Sequence, residues 1–185
     1  MKGFVIYLPS QKTELAHFLA QADGCNYTPT VSVSSELVSQ LGGETVFNLS
    51  KAKVILHREI TIDEIANTLS HIECWRKIAA DETIADNEFA IVAEADLQLS
   101  PNYFGALQEY VNGYLAGSQY QLALLECSRQ HEFWDDKIYQ GEGRLNSALF
   151  QRIEHYNLAH CQMYLIRKSF IKQMLNKLAS EKPYW

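Results

Sequence analysis

Phe89-Ala90-Ile91-Val92-Ala93-Glu94-Ala95-Asp96-Leu97-Gln98-Leu99-Ser100 decides how the rest of the chain is read. An unbroken apolar run gives way to Glu94-Ala95-Asp96. The run predicts a buried central strand. In an extended chain residues i and i+2 point the same way, so Glu94 and Asp96 converge where the strand leaves the core. Two carboxylates so placed repel each other unless a cation or a proton lies between them. Hard oxygen donors suit Mg²⁺ or Mn²⁺, ions that usually also take phosphate oxygens from a substrate. Open α/β sheets bind ligands beyond the carboxyl ends of their strands. The simpler alternative is a strand end carrying two solvated acids.

The chain has 185 residues, which suits a single domain over 1–185 with a real core. Its hydrophobic fraction of 47% and charged fraction of 21% are ordinary for a globular protein. A net charge of -6 gives no general affinity for nucleic acid. The charge is uneven. Residues 59–96 hold ten acids and two bases, whereas residues 152–185 hold six bases and two acids. An acidic centre suits a metal. A basic tail suits phosphate or an anionic membrane surface, with a solvated helix face as the alternative. Cys25, Cys74, Cys127 and Cys161 are scattered, with no CxxC pair, so neither a zinc site nor a disulfide framework is indicated. Free thiols in a reducing cytoplasm are the expectation. The opening MKGFVIYLPSQ has too short an apolar run for a signal peptide, and no segment is long enough to span a bilayer.

In chain order, Phe4 to Leu8 predicts a first strand, closed by Pro9-Ser10. Thr13 is placed to cap a helix reaching Ala22, with Leu15, Phe18 and Leu19 inward. Gln11 and Lys12 could touch a nucleotide in such a loop or be simply solvated, and no GxGxxG or P-loop is present. Val31 to Ser34 alternates as a second strand, and Ser35 is placed to cap a short helix to Leu41. Val46 to Ile55 reads as loop, with a strand at Val54 to Leu56. Thr61-Ile62-Asp63-Glu64 fits a capping box that opens the clearest helix. Ile62, Ile65, Leu69, Ile72 and Ala79 form its buried stripe. Glu64, Thr68, His71 and Trp75 form an adjoining stripe able to line a site, the alternative being a cap at Glu64, a partly buried helix histidine at His71 and core packing at Trp75. Ser100-Pro101 opens a helix with Phe104, Leu107 and Val111 inward, and Tyr120 to Cys127 predicts a strand ending at Glu126. Ser128 to Gly143 is a long polar loop, a length that often marks a lid or binding loop. His160 to Ile166 reads as the last strand, and Ser169 is placed to cap a final helix.

Ile60 to Ile72, followed by Trp75, resembles the signature of glycosyltransferase family 25, roughly L-T-x-G-E-I-G-C-x-L-S-H-x-x-x-W. Glu64, Ile65, Leu69, Ser70, His71 and Trp75 match it. These are lipooligosaccharide biosynthesis enzymes of Gram-negative bacteria. The family also has a strand ending in E-D-D, here Glu94-Ala95-Asp96, and a Y-L-I-S-R-like strand, here Tyr164 to Lys168. Phe4 to Pro9 fits its opening. The blocks stand in the family's order over most of the chain.

The resemblance implies an α/β, GT-A-like Rossmann-type nucleotide-sugar-binding sheet flanked by helices. It implies inverting, metal-assisted transfer of galactose or glucose from a UDP-sugar to a lipooligosaccharide or lipopolysaccharide acceptor. By that similarity Glu94 and Asp96 hold Mn²⁺ or Mg²⁺, and Pro9, Glu64, Ser70, His71 and Glu94 line the substrate site. The acceptor hydroxyl needs a carboxylate base. Glu126 at a strand end and Asp135 in the long loop are the candidates, with Asp136 and His71 as alternatives. The implied location is cytoplasmic, in peripheral contact with the inner membrane.

The sequence also departs from the family. Ala95 replaces the middle acid, while Asp63 and Ala66 replace two glycines. The arginines that usually follow strand one are absent, and so is the usual Gly-Thr before the last strand. The chain stops at Trp185, before a further acidic residue of the family, and reads as truncated at its C-terminus. Ala95, the missing arginines and the early stop favour an alternative, a catalytically impaired nucleotide-sugar-fold protein that serves in binding or assembly. A nucleotide-binding hydrolase or phosphotransferase built on the same acids is a third reading.

Overall fold

The computed structural model describes residues 1–22, 24–99, 103–125 and 162–184. Among them five strands form one sheet: β1 (Gly3–Tyr7), β2 (Tyr27–Val31), β3 (Phe89–Glu94), β4 (Leu122–Leu124) and β5 (Met163–Arg167), in the order β2-β1-β3-β5-β4. β2, β1 and β3 are parallel. β5 runs antiparallel between β3 and β4. Helices are α1 (Lys12–Gln21), α2 (Ser35–Leu41), α3 (Gly43–Val46), α4 (Leu49–Leu56), α5 (Ile62–Ala80), α6 (Tyr103–Tyr110) and α7 (Lys168–Ser180). A π-helical turn, Val111–Leu115, continues α6.

The run at Phe89 is a strand because both its faces are covered, as in parallel sheets packed between helices. Phe89, Ile91 and Ala93 pack with Phe18 of α1 and Leu107 of α6. Ala90 and Val92 face the other way, onto Cys74 and Ile78 of α5 and Ile171 of α7. A third cluster joins Val38, Phe47 and Ala52 to Ile65 and Ala66 of α5. The architecture is thus α/β, a mixed sheet with helices on both faces. At Gly3 the Tyr27 ring crosses β1 so closely that a Cβ would stand 2.4 Å from it.

Several expectations are corrected. β2 is Tyr27–Val31, not Val31 to Ser34. It is an edge strand and so tolerates Pro29, which removes a backbone donor. Residues 46–55 are mostly helical rather than loop and strand. The Asn48 side chain caps α4 by accepting from the Lys51 N–H at 3.0 Å. Ser34, not Ser35, caps α2. Thr13 does not cap α1; the Leu8 N–H donates to Gln11 Oε1 at 2.8 Å, closing a turn that starts the helix earlier. Ser169 does not cap α7, because the first N–H groups, of Lys168 and Ser169, donate to Glu88 O and Asp86 O. Ile62 and Leu19, expected inward, are exposed. The Thr61–Glu64 capping box forms as read.

The tail's described bases are engaged within the chain. Arg167 is buried, bonds the carbonyls of Asn87, Ser118 and Tyr120, and lies 4.3 Å from the Phe89 ring centre. Lys168, also buried, bonds Asp81 O at 2.7 Å and Ile84 O at 2.9 Å. Lys172 pairs with Asp86, Lys177 with Glu181, and Lys182 bonds Glu44 O. No helix among the described residues is long and apolar enough to cross a membrane.

Candidate functional site

A cavity of about 240 Å³ opens at the carboxyl ends of β1, β2 and β3. Tyr7, Leu8 and Gln11 line it after β1, and Ser32, Val33 and Ser35 after β2. Asp63, Asn67 and Ser70 of α5 form one wall, with Glu94 and Asp96 at the end of β3. This is where parallel strands present their loops to a ligand.

The backbone sets the two acids. Glu94 is the last residue of β3, and its N–H donates to Gln162 O at 2.8 Å. The Ala95 N–H donates to Ile6 O at 2.9 Å, and its methyl is buried in the core shared with α1 and α6. Asp96 follows in the turn and accepts from Gln162 Nε2 at 3.4 Å. Partial burial pushes the Asp96 carboxyl up, and the neighbouring charge of Glu94 adds to the shift, with a smaller push from Glu14. Two carboxylates sharing a cavity are the hard oxygen donors that suit Mg²⁺ or Mn²⁺. Among the described residues no group of three or more His, Cys, Asp or Glu could hold a metal.

Behind Glu94 stands a hydrogen-bonded group from α5 and β5. His71 Nε2 lies 3.5 Å from Glu94 Oε1. His71 Nδ1 lies 2.9 Å from Tyr164 Oη, and the Trp75 indole N–H donates to the same oxygen at 2.9 Å. His71 and Trp75 are one helical turn apart, so they reach one point on the neighbouring strand.

The family model of glycosyltransferase family 25 (LPS biosynthesis protein) matches residues 1–183. The chain belongs to glycosyltransferase family 25. Comparison with curated proteins gives no match. Family 25 membership makes the chain a glycosyltransferase of LPS biosynthesis, with a sugar donor and an LPS acceptor in general.

The residues of the family 25 signature divide by position. Ser70 lines the cavity, yet its hydroxyl is committed internally: it accepts from the Val33 N–H at 2.8 Å and donates to Ala66 O at 2.8 Å. It shapes the wall by tying the loop after β2 to α5. Glu64 is not at the cavity. Arg58 grips its carboxylate through both guanidinium ends, and the Thr61 N–H donates to it at 2.9 Å. The Arg58 bond, then the Thr61 bonds, hold it down at about 2. Pro9 is exposed in the turn after β1, while its neighbours Leu8 and Gln11 line the cavity. His71 reaches the site through Glu94. Glu126, Asp135 and Asp136 lie outside the described residues.

Asp63, Asn67, Ser32 and Ser35 were missed by the sequence reading. Asp63, Asn67 and Ser70 are spaced four and three on α5, the stripe beside the one that was read. Shifting that stripe by one residue was the available signal. Ser35 Oγ also bonds Asp63 Oδ1, linking the starts of α2 and α5.

Proposed function

We propose that this family 25 chain transfers a hexose, galactose or glucose, from a UDP-sugar to a lipooligosaccharide acceptor with inversion, on a GT-A-like sheet. The observation that carries the reading is that Glu94 and Asp96 share one cavity at the carboxyl ends of β1, β2 and β3. In an inverting step the acceptor oxygen bonds to the anomeric carbon and its proton passes to a carboxylate base. The anomeric carbon–oxygen bond to UDP breaks, and its electron pair stays on the diphosphate. Glu94 and Asp96 would hold Mn²⁺ or Mg²⁺, which supplies Lewis-acid neutralisation of that charge. Asn67 and Gln11 offer neutral amide groups to the donor at the cavity wall. Glu126 and Asp135 are the proposed bases. The departure at Ala95 takes nothing from the cavity, since that side chain belongs to the opposite core. This favours transfer over a role in binding alone. Free thiols at Cys25 and Cys74 suit a cytoplasmic setting, from which the acceptor would be met at the inner membrane.

The test is thermal unfolding with UDP, UDP-galactose and UDP-glucose, each with Mn²⁺ and with EDTA. At 100 times Kd a ligand adds about 2.7 kcal/mol. That corresponds to a rise in Tm of about 5–11 °C for a domain of this size. The rise should be larger with Mn²⁺. No rise with any of the three at millimolar concentration and with metal overturns the proposal.

A further inference from the structure

We infer that Trp75, Tyr164 and His71 form a hydrogen-bond relay of fixed polarity whose task is to orient the Glu94 carboxylate in the donor cavity. The inference rests on the reading of Glu94 as a donor-site acid.

The polarity follows from the two ends. The Trp75 indole N–H can only donate. It does so to Tyr164 Oη at 2.9 Å. At the other end an ionised carboxylate can only accept. Glu94 Oε1 faces His71 Nε2 at 3.5 Å, so an attractive contact requires the proton on Nε2. In a neutral imidazole the other nitrogen is then an acceptor. The Tyr164 hydroxyl therefore donates to His71 Nδ1 across 2.9 Å. The 3.5 Å approach to Glu94 is longer than an ordinary hydrogen bond, so this last link is an electrostatic contact.

The scaffold keeps each member in place. Tyr164 is 6% exposed, and in β5 it pairs with Val92, two residues before Glu94 on the same face of β3. The Tyr164 and His71 rings are in contact, with centroids 5.6 Å apart. His71 and Trp75 share a face of α5, which is anchored by Ile72, Cys74 and Ile78. Tyr164 and Trp75 are thus positioning residues that act on Glu94 through His71. Partners of this kind fix ring orientation and tautomer, and their loss typically weakens a site ten- to a hundredfold.

The experiment uses the full chain and two readouts. The first is the ¹⁵N spectrum of the His71 ring at a single pH where the imidazole is neutral. The wild type should show one tautomer, with hydrogen on Nε2. A wild-type ring carrying its hydrogen on Nδ1 overturns the relay, and this measurement needs no variant to fold. The second is calorimetric titration of UDP with Mn²⁺. Tyr164→Phe keeps the ring and removes the oxygen. It should mix the His71 tautomers and weaken the affinity by about tenfold or more. Trp75→Phe leaves the Tyr164–His71 bond in place and should weaken it less. A Tyr164→Phe protein that binds UDP as the wild type does overturns the positioning role. If wild type binds no UDP at all, the donor reading fails while the tautomer readout still decides the polarity of the relay.

Discussion

Replacing Ser70 with alanine removes one oxygen and leaves the Val33 N–H facing α5 with no acceptor. In the wild type that N–H donates to Ser70 Oγ at 2.8 Å, in partly buried surroundings. An unsatisfied donor of this kind costs about 1–3 kcal/mol. Alanine's higher helix propensity returns about 0.5 kcal/mol at this mid-helix position. Ala66 O also loses the Ser70 hydroxyl, though it keeps its place in the helical ladder. The net loss is about 1 kcal/mol, toward the low end because Val33 is only partly buried. For a domain of this size that lowers Tm by about 2–4 °C. The effect should also be local. Val33 lines the cavity, so its amide should exchange hydrogen faster in Ser70→Ala, while amides of β3 keep their protection. Differential scanning calorimetry with residue-level hydrogen exchange measures both. A variant that melts with the wild type and protects Val33 equally refutes the assignment of Ser70 as the tie between α5 and the loop after β2.

Asp96→Asn should leave the metal-free protein as stable as wild type or slightly more so at neutral pH. The raised carboxyl means that its ionisation opposes folding as pH rises through the folded-state value. The same variant should lose Mn²⁺-dependent UDP binding, and calorimetry showing metal dependence intact would return Asp96 to a solvated turn. Ala95→Asp should not rescue it. Its carboxylate would enter an apolar core, so a fall in Tm is the expected reading. Glu64 has a folded-state value lowered from 4.5 to about 2. Its contribution is therefore present above the unfolded value and lost as pH falls through that window. Wild type should exceed Glu64→Gln at pH 7 by less than about 1 kcal/mol, because the Arg58 pair is exposed. The gap should close in acid melts between pH 4.5 and about 2. A gap that stays constant over that range would show that the carboxylate charge contributes nothing.

The central strand, the first strand and α5 were legible because each has a local signature. Phe89 to Ala93 is apolar throughout since both faces are covered, and Thr61 with Glu64 announces a helix start. β2 had no such signature. On this edge strand only Tyr27 and Thr30 are buried, so neither alternation nor a continuous run appears, and Pro29 argued against a strand. α3 and α4 are short, and only Asn48 marked the boundary. Of the candidate site, Glu94 and Asp96 were readable from spacing. Asp63 and Asn67 were hidden behind the more conspicuous stripe of Glu64 and His71. The contact of His71 with Tyr164 joins residues 93 apart in sequence, which no local period can reveal. It needs β5 to pass between β3 and β4.

That placement of β5 also fixes an order of assembly. During synthesis β1, β2 and β3 can pair as soon as they emerge, but β4 has no described strand partner other than β5. The open edge of β3 and the whole of β4 must wait for a strand made much later, a delay that long-range pairings impose on folding. The same strand brings Tyr164 to His71 and, just before it, Gln162 to the Glu94 backbone and the Asp96 side chain. The half-made sheet therefore has its acids and His71, but not the Tyr164 and Gln162 that hold them. Closing the sheet and aiming Glu94 are one event.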